Sequence, residues 1–506
     1  MPKLTIVQFC NLVNKQTDLK LNEEDAQKVS SSFEFLKEYS SDKIIYGINT
    51  GFGPMAQFKI NDENLDKLQY NLIRSHSTGI GDVLDANSAR AVMIARYNSL
   101  IKAKSGISPG VIKVLKDLIN SDIVPEIFSH GGVGASGDLV QLSQLALNLI
   151  GEGFVYVGGQ RIKTSEAFSK AGINAAKLEL RDGLGLINGT SCMTGVGILN
   201  IQDASNLLDW SIFCSSSLNE LVESFDDSMS EQLNDAKCHS GQTSIASRMR
   251  EILSDSGRMK NRVSYFKGSN GKDEVFEKKV QEYYSVRCVP QILGPIHDTI
   301  EYAHNVLENE LNSTNDNPIV DIASSEVYHG GNFHGDYISL EMDKLKIVVT
   351  KMMMLSERQL NFLLNPALNQ KFPPFLNSDS LGLNFGLQGA QFTATSTVAE
   401  CQTLSFPNYV HSIPNNNDNQ DIVSMGMNSA SITKRVIDNA YQIMSIHLLS
   451  MYKAFSLLDE AGRESMSSKS KQVFSELGEI VEFVPGDKPF NEDLANVESF
   501  IRKSKS

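Results

Sequence analysis

The chain has 506 residues, a formal net charge of −14 and a pI near 5.2. A surface this acidic repels a phosphate backbone, so the composition argues against a nucleic-acid partner. The six cysteines form no CxxC pair, which argues against a zinc ribbon or a disulfide framework. The N-terminus does not resemble a secretory signal, and the longest uncharged stretches, 183–202 and 380–399, are too polar to span a bilayer. We therefore expect a cytoplasmic protein that binds neither nucleic acid nor membranes.

The first predicted elements are an amphipathic helix and a glycine-rich loop. Residues 22–39 carry apolar side chains at helical spacing, and Asn22 is a suitable N-cap ahead of acidic residues. The stretch IIYGINTGFGPM, residues 44–55, then changes to β-branched residues and three glycines. Glycines permit backbone dihedrals that other residues avoid, so this stretch is typical of a loop beside a ligand, with Tyr46 at its entrance.

A second glycine-rich loop holds a single serine. In GVGASGDL, residues 132–139, Ser136 lies between Ala135 and Gly137. The leucine-rich stretch that follows predicts a buried helix, with Asp138 near its N-cap position. Farther on, residues 153–162 read as a hairpin that turns at two consecutive glycines.

Beyond about residue 195 the pattern is mostly helical for some 250 residues, and helices of this length indicate a bundle. We therefore expect a mainly α fold, with a smaller mixed N-terminal domain over residues 1–184 and a helical bundle over residues 185–506. The predicted long helices cover residues 204–224, 242–254, 291–312, 337–365, 386–404 and 430–459.

The serine loop fits neither of the two commonest glycine-rich motifs. A hydrolase elbow, G-x-S-x-G, needs its second glycine one place later and a feeding strand, and a P-loop needs a terminal GK[ST]. A third chemistry fits better. The amide nitrogen of Gly137 attacks the carbonyl of Ala135, and loss of two waters converts Ser136 into the methylene of 4-methylidene-imidazole-5-one (MIO), an electrophile. Glycine has no side chain to obstruct this closure.

The chain resembles the aromatic amino acid ammonia-lyases that act on histidine, phenylalanine and tyrosine, in which an Ala-Ser-Gly triplet becomes MIO. The resemblance covers about residues 45–425, and its motifs occur in the family's order. They are YGINTGFG (46–53), HGGVGASGDLVQL (130–142), LINGTS (186–191), QEYYSVRCVPQILG (281–294), NDNP (315–318), GNFHGD (331–336) and NQDIVSMG (419–426). The resemblance implies the ammonia-lyase fold, which is similar to that of fumarase and aspartase. It also implies that MIO forms autocatalytically from Ala135, Ser136 and Gly137.

The chemistry of ammonia elimination makes sense of these residues. The reaction must activate a poor leaving group and remove a non-acidic β-proton, so it needs an electrophile and a base together. MIO supplies the electrophile, and Tyr46 resembles the family's catalytic tyrosine. A phenol, with a reference pKa near 10, becomes a usable base only where positive charge or hydrogen bonding lowers that pKa. The alternative for Tyr46 is an aromatic residue packed on a surface loop.

The resemblance also implies a set of substrate-binding residues. Arg287 resembles the family's carboxylate-binding arginine, and its planar guanidinium suits paired hydrogen bonds to a carboxylate. An arginine in a surface salt bridge is the commoner alternative. Phe333 resembles the aromatic residue beside MIO, where the alternative is simple core packing. The polar neighbours implied in the same way are Asn188, Gln281 and Tyr284.

Two positions bear on which amino acid is the substrate, and they point in different directions. Ser75 and His76 match the pair typical of histidine lyases, whereas Gln420 stands where the histidine branch carries a glutamate. An imidazole substrate gains from a carboxylate partner, while a phenol needs only a neutral donor and acceptor such as the His76 imidazole. We therefore expect L-tyrosine, converted to trans-4-coumarate. The alternatives are L-histidine giving urocanate, L-phenylalanine, and tyrosine 2,3-aminomutase activity.

The family's members assemble as homotetramers whose active sites draw loops from three subunits. The resemblance therefore implies that Tyr46 and Arg287 reach MIO from neighbouring chains. His329 and His334 lie in a glycine-rich loop without an HExxH helix, so we expect no catalytic metal. An inactive helical scaffold is the non-enzyme alternative, but a scaffold has no use for the serine triplet together with Tyr46 and Arg287.

Overall fold

Helices dominate the computed structural model, which describes residues 3–268, 275–276, 278–484 and 486–504. The helices are α1 (Ile6–Val13), α2 (Glu23–Tyr39), α3 (Leu65–His76), α4 (Ala86–Leu100), α5 (Pro109–Asn120), α6 (Leu139–Leu149), α7 (Thr164–Ala171), α8 (Asp182–Ile187), α9 (Ser191–Leu221), α10 (Glu231–Asp235), α11 (Ser240–Ile252), α12 (Arg262–Tyr265), α13 (Tyr284–Arg287), α14 (Val289–Leu311), α15 (Asp336–Leu364), α16 (Pro366–Asn369), α17 (Gln388–Leu404), α18 (Gly426–Ser456), α19 (Glu460–Glu464), α20 (Ser468–Gly478) and α21 (Asn491–Lys503). The mainly α fold expected from the sequence is confirmed.

The strands of the described chain are short and form three small antiparallel sheets. Strand β1 pairs with β3, β2 pairs with β4 and β4 with β5, and β6 pairs with β7. Their bounds are β1 (Ile80–Val83), β2 (Val124–Pro125), β3 (Phe128–His130), β4 (Phe154–Val157), β5 (Gln160–Lys163), β6 (Ile319–Asp321) and β7 (Glu326–Tyr328). The predicted hairpin is confirmed as β4 and β5, and its turn residues Gly158 and Gly159 have φ of 56° and 81°.

The chain divides into two compact units, each built from three separate segments. The first unit takes residues 1–201, 303–343 and 407–434, and the second takes the intervening and C-terminal segments. This division differs from the two consecutive domains expected on either side of residue 184. The reason lies in the long helices α9, α14, α15 and α18, because each begins in one unit and ends in the other.

The core of the first unit includes α4, whose residues from Ser88 to Leu100 are all buried. A helix that is buried all round has neighbours on every side. Helix α2 lies at the surface, with the Asn22 side chain accepting the Asp25 amide at 2.7 Å, so the predicted N-cap is confirmed. In the second unit Trp210 is buried edge-on against Phe213, and its indole nitrogen donates to the Ile501 carbonyl at 3.1 Å.

Among the helices of the described residues, none combines the length and the apolar character that a bilayer-spanning segment needs.

Candidate active site

The serine loop is held in a conformation that only glycine adopts easily. Gly137 has a φ of +74°, and a Cβ built on it would lie 2.0 Å from the carbonyl oxygen of Gly189. The next amide, that of Asp138, donates to the same oxygen at 2.7 Å. A side chain at residue 137 would therefore have to displace backbone that is itself hydrogen-bonded.

Two amide side chains from distant parts of the sequence donate hydrogen bonds to Ser136. Asn188 Nδ2 donates to the Ser136 carbonyl oxygen at 3.0 Å, and Gln420 Nε2 donates to the Ser136 hydroxyl oxygen at 2.9 Å. Asn188 is fixed in turn, because the buried Arg96 donates to its carbonyl at 2.9 Å. Ala135 is 4% exposed, so the triplet lies inside the unit with the serine facing the cavity described next.

Asp138 has a different partner from the one that its place in the sequence suggests. It occupies the N-cap position of α6, but its side chain makes no capping hydrogen bond there. Instead, Oδ2 accepts the amides of Cys192 and Met193 at 2.8 and 2.9 Å, at the start of α9. Burial raises the pKa of this carboxyl to about 7, opposed by these two hydrogen bonds. Asp138 therefore ties the serine loop to a helix that begins more than fifty residues later.

The serine loop opens into a cavity of about 510 Å³ inside the first unit. Its size is that of a site for a small molecule. Seven of the predicted site residues line this cavity. They are Tyr46, Ser75, His76, Ser136, Asn188, Phe333 and Gln420.

Tyr46 enters the cavity from the loop predicted at residues 44–55. Its hydroxyl oxygen accepts the Gly53 amide at 3.0 Å, and its ring meets the Phe52 ring edge-on at a centroid distance of 6.2 Å. Tyr46 thus lines the cavity of its own chain, together with Ser136. The expectation that Tyr46 reaches MIO from a neighbouring chain stays a prediction, and within this chain residues 44–55 and the serine loop belong to one unit.

One wall of the cavity is a face of α3, where Leu68, Leu72 and Ser75 lie at helical spacing. At the end of this helix His76 Nδ1 lies 2.9 Å from the Leu72 carbonyl oxygen. A carbonyl can only accept a hydrogen bond, so Nδ1 donates in this contact, and the Ser75 hydroxyl, 3.1 Å from the same nitrogen, is then a second acceptor. Nε2 is then left with a free lone pair and acts as an acceptor.

Three predicted residues belong to the second unit. These are Gln281, Tyr284 and Arg287. Tyr284 and Arg287 lie on one helical turn, α13, as their spacing predicts, and the guanidinium carbon of Arg287 is 4.9 Å from the Tyr284 ring centroid. Among the residues that the structure describes, Arg287 has no ion-pair partner, and its buried Nε has no acceptor. The surface salt bridge considered as its alternative is therefore absent from this part of the chain.

Sequence reasoning missed much of the cavity wall. The unpredicted polar residues are Asn71, Asn317, Asn416 and Asn419. Asn416 begins a run of three left-handed residues, 416–418, with φ between 52° and 58°. The signal for this wall was the asparagine-rich connector itself, since asparagine tolerates left-handed backbone better than most residues.

The lining of the cavity has a distinctive composition. None of the described residues that line it is Asp, Glu, Lys or Arg. It can therefore hold an uncharged aromatic ring without leaving a charge buried and unpaired. An amino acid's carboxylate, in contrast, would need a cation from elsewhere.

Comparison with known proteins assigns the chain to a class. Residues 4–479 match the family model of the aromatic amino acid lyases. The chain belongs to this family of carbon–nitrogen lyases, which comprises MIO-dependent ammonia-lyases and aminomutases.

The relatives include more than one activity. A tyrosine 2,3-aminomutase of Chondromyces crocatus is 36% identical over 98% of this chain and 94% of its own. A tyrosine ammonia-lyase of Cupriavidus metallidurans is 38% identical over 91% of this chain and 87% of its own. The solved histidine ammonia-lyase of Trypanosoma cruzi superposes with a TM-score of 0.89 at 29% identity, covering 99% of this chain and 92% of its own. This similarity confirms the ammonia-lyase fold and leaves the substrate to be argued from the site.

Proposed function

We propose that the protein eliminates ammonia from L-tyrosine to give trans-4-coumarate, using MIO formed from Ala135, Ser136 and Gly137. The observation that carries the proposal is one neutral cavity lined by Ser136, Tyr46 and the acceptor face of His76. The first two residues belong to the chemistry of elimination, and the third belongs to recognition of a phenol.

The residues around the triplet suit the formation of MIO. Gly137 presents no side chain at the close approach to Gly189, so no side chain of its own obstructs the ring closure. Gln420 Nε2 donates to the Ser136 hydroxyl, the group that must leave as water, while Asn188 polarises the Ser136 carbonyl. Once formed, MIO supplies the electrophile that makes the substrate's amino group a better leaving group.

Tyr46 is the base of the proposed reaction. Its phenolic oxygen takes the proton from the substrate's β-carbon, the electrons of that C–H bond form the new double bond, and the C–N bond breaks to release ammonia. The Gly53 amide fixes the position of this oxygen at 3.0 Å. The apolar rings of Phe52 and Phe333 line the same cavity and keep water away from the reacting carbons.

Recognition of the ring is assigned to His76. A phenol donates through its hydroxyl, and His76 Nε2 is the acceptor left free by the Nδ1 contact with Leu72. A positively charged imidazole would instead call for a carboxylate, and the described cavity lining contains none. These two points favour tyrosine over histidine, although the Ser75–His76 pair is typical of histidine lyases.

Tyrosine 2,3-aminomutase activity is the second candidate. It is favoured by the similarity to the Chondromyces crocatus aminomutase over 98% of the chain. Both reactions need the same triplet, base and ring contact, and they differ in whether ammonia leaves the site or adds again at the β-carbon. Measurement of the product, and not the geometry of the residues, separates the two.

The substrate's carboxylate is assigned to Arg287, supplied by a neighbouring chain of a homotetramer. Two observations support this assignment. The cavity lining of the described chain has no cation, and Arg287 has no ion-pair partner among the described residues. Its guanidinium can therefore pair with an incoming carboxylate without first breaking a salt bridge. Gln281 and Tyr284 come from the same segment and accompany it.

The test is an ultraviolet assay of the purified protein with tyrosine, phenylalanine and histidine in turn, together with mass analysis of the products. We expect coumarate to form fastest. Urocanate as the main product would overturn the tyrosine assignment, and β-tyrosine in place of coumarate would establish the aminomutase. If none of the three reacts and the intact mass equals the translated mass, the proposal of MIO chemistry fails as a whole.

A further inference from the structure

The first unit contains a second cavity, of about 420 Å³, which shares no lining residue with the first. Its walls are α1, the segment of residues 17–25 and the C-terminal half of α4. The volume is large enough for an amino acid or another small metabolite. The chemistry assigned above uses none of these residues.

Two chain segments at the edges of this cavity, at Leu4 and Leu19, are held by asparagine side chains that hydrogen-bond to their backbone. Asn312 accepts the Leu4 amide at 2.8 Å and donates to the Leu4 carbonyl at 2.9 Å. Asn120 does the same for Leu19, at 3.1 and 3.0 Å. Each edge is thus tied to a helix by a reciprocal pair of hydrogen bonds. The cavity is a built feature of the fold and not a gap beneath a loose loop.

The base of the cavity is apolar, with one unsatisfied polar group. Leu12 and Ile94 are buried there, and Ile101 is half-buried. Tyr97 is 1% exposed, and its hydroxyl has no hydrogen-bond partner within the described residues. A buried hydroxyl without a partner is costly, and an oxygen atom of a ligand is one group that would satisfy it. The base therefore suits an aliphatic or aromatic side chain with polar atoms at its margin.

The rim carries unpaired charges of both signs. Lys20, Lys102 and Asp18 line the cavity, and none of them has an ion-pair partner in the described ranges. Burial lowers the pKa of Lys102, and the negative charge of the nearby Asp25 carboxylate partly opposes this shift. Asp25 also lines the cavity, but its carboxylate already accepts the Asn22 amide group at 2.9 Å. The rim thus offers a ligand the cations of Lys20 and Lys102 and the carboxylate of Asp18, around an apolar base, with the Asp25 carboxylate as a second anion close to Lys102.

We propose that this cavity is a second binding site for a free α-amino acid with an apolar or aromatic side chain. The amino acid's carboxylate pairs with Lys102 and Lys20, its ammonium group pairs with Asp18, and its side chain covers Leu12 and Ile94. A zwitterion matches the two signs of charge, whereas a simple carboxylate or a simple amine leaves one sign unpaired. The site is independent of the identity of the reaction's substrate.

The test is isothermal titration of the full-length Ser136→Ala variant, which cannot consume the ligand, with L-phenylalanine and L-leucine as probes. We expect two binding events per chain. Lys102→Met should weaken one of them at least tenfold and leave the other unchanged, and Asp18→Asn should act on that same event. Tyr97→Phe, which removes only the hydroxyl, should weaken it several-fold. Circular dichroism of each variant reports whether the fold is kept.

Two further probes separate the contributions of the charges. With 3-phenylpropionate, which has only the carboxylate, Lys102→Met should weaken binding and Asp18→Asn should not. With phenethylamine, which has only the ammonium group, the order should reverse. A single binding event per chain, unchanged in Lys102→Met and in Asp18→Asn, would overturn the proposal. In a chain with active MIO the same variants should retain turnover, because neither residue lines the catalytic cavity.

Discussion

The two ends of the catalytic cavity are built in different ways. At the serine loop, Ala135 is 4% exposed and a Cβ on Gly137 would lie 2.0 Å from a backbone oxygen, so close packing fixes the geometry. At the ring end, Ser75 is exposed and His76 is half-buried. The groups that they present to a substrate depend on their hydrogen bonds to the Leu72 carbonyl and on the 3.1 Å contact between the Ser75 hydroxyl and His76 Nδ1. Steric constraint thus governs the end that makes the electrophile, and hydrogen-bond polarity governs the end that selects the ring. Changes at the first end should abolish turnover, and changes at the second should redirect it.

The largest effect is expected from Ser136→Ala, which removes the hydroxyl that leaves when MIO forms. Loss of a covalent electrophile should lower kcat by about a thousandfold or more, with the fold unchanged. Intact mass spectrometry should find the parent protein lighter than its translated mass by two water molecules, and the variant at its full translated mass. A parent protein at full translated mass with undiminished activity would falsify the proposed chemistry.

Gly137→Ala tests the steric argument at the same end. The new Cβ meets the Gly189 carbonyl and requires a positive φ, so we expect roughly 2–4 kcal/mol of destabilisation together with loss of the mass deficit. Gly158→Ala is the matched control, because Gly158 also has a positive φ, of 56°, but has open space around its Cβ position. The control should cost only about 1 kcal/mol. Equal thermal midpoints for the two variants would contradict the close-approach argument.

Asp138→Asn tests how the ionisation of a buried carboxyl beside the serine loop changes the stability of the protein. The folded pKa of about 7 lies above the ordinary carboxyl value, so the folded state holds more protons than the unfolded state between about pH 4 and pH 7. The contribution of Asp138 to stability is therefore present at low pH and is lost as the pH rises through this window, by up to roughly 4 kcal/mol.

An asparagine keeps an oxygen for the Cys192 and Met193 amides but does not ionise. Both proteins are unfolded with denaturant at pH 5 and pH 8. The free energy of unfolding of the variant, relative to that of the parent, should be higher at pH 8 than at pH 5. A stability difference that does not change with pH would show that the Asp138 carboxyl does not titrate in this window.

His76→Phe tests the ring end. Without the Nε2 acceptor, a tyrosine hydroxyl is buried without a partner, so the ratio of kcat/KM for tyrosine over phenylalanine should fall by about 10- to 100-fold. Ser75→Ala is the control: it removes the Ser75 hydroxyl, which lies 3.1 Å from His76 Nδ1, but keeps the imidazole and the Leu72 carbonyl, so it should keep most of the discrimination. If His76→Phe leaves the ratio unaltered, another residue binds the hydroxyl group of the substrate's ring.

Gln420→Glu should have the smallest effect on substrate preference and sharpens the distinction between tyrosine and histidine. The change also removes the donor to the Ser136 hydroxyl, so its effect is measured as a ratio between the two substrates. It adds a carboxylate to a cavity whose described lining has no acidic residue, which should favour a positively charged imidazole. We expect kcat/KM for histidine relative to tyrosine to rise by about tenfold. The assay is the same ultraviolet comparison of urocanate with coumarate, and a fall in the histidine ratio would contradict the charge argument.

The sequence by itself determined the elements that depend on local chemistry. Asparagine before acidic residues predicted the start of α2, paired glycines predicted the β4–β5 turn, and small residues around Ser136 predicted a loop ahead of a helix. The resemblance of its motifs added the site residues, seven of which meet in one cavity.

The tertiary structure alone decided what depends on residues far apart in the chain. Asp138 looks from the sequence like a cap for α6, yet its carboxylate accepts amides at the start of α9. The accepting nitrogen of His76 follows from a contact with a carbonyl one turn earlier, which the sequence does not specify. The chain alternates between the two units because each of the long helices α9, α14, α15 and α18 begins in one unit and ends in the other. Local propensity fixes where an element begins and ends, but hydrogen-bond partners and charge balance are set by whichever groups folding brings within about 3 Å.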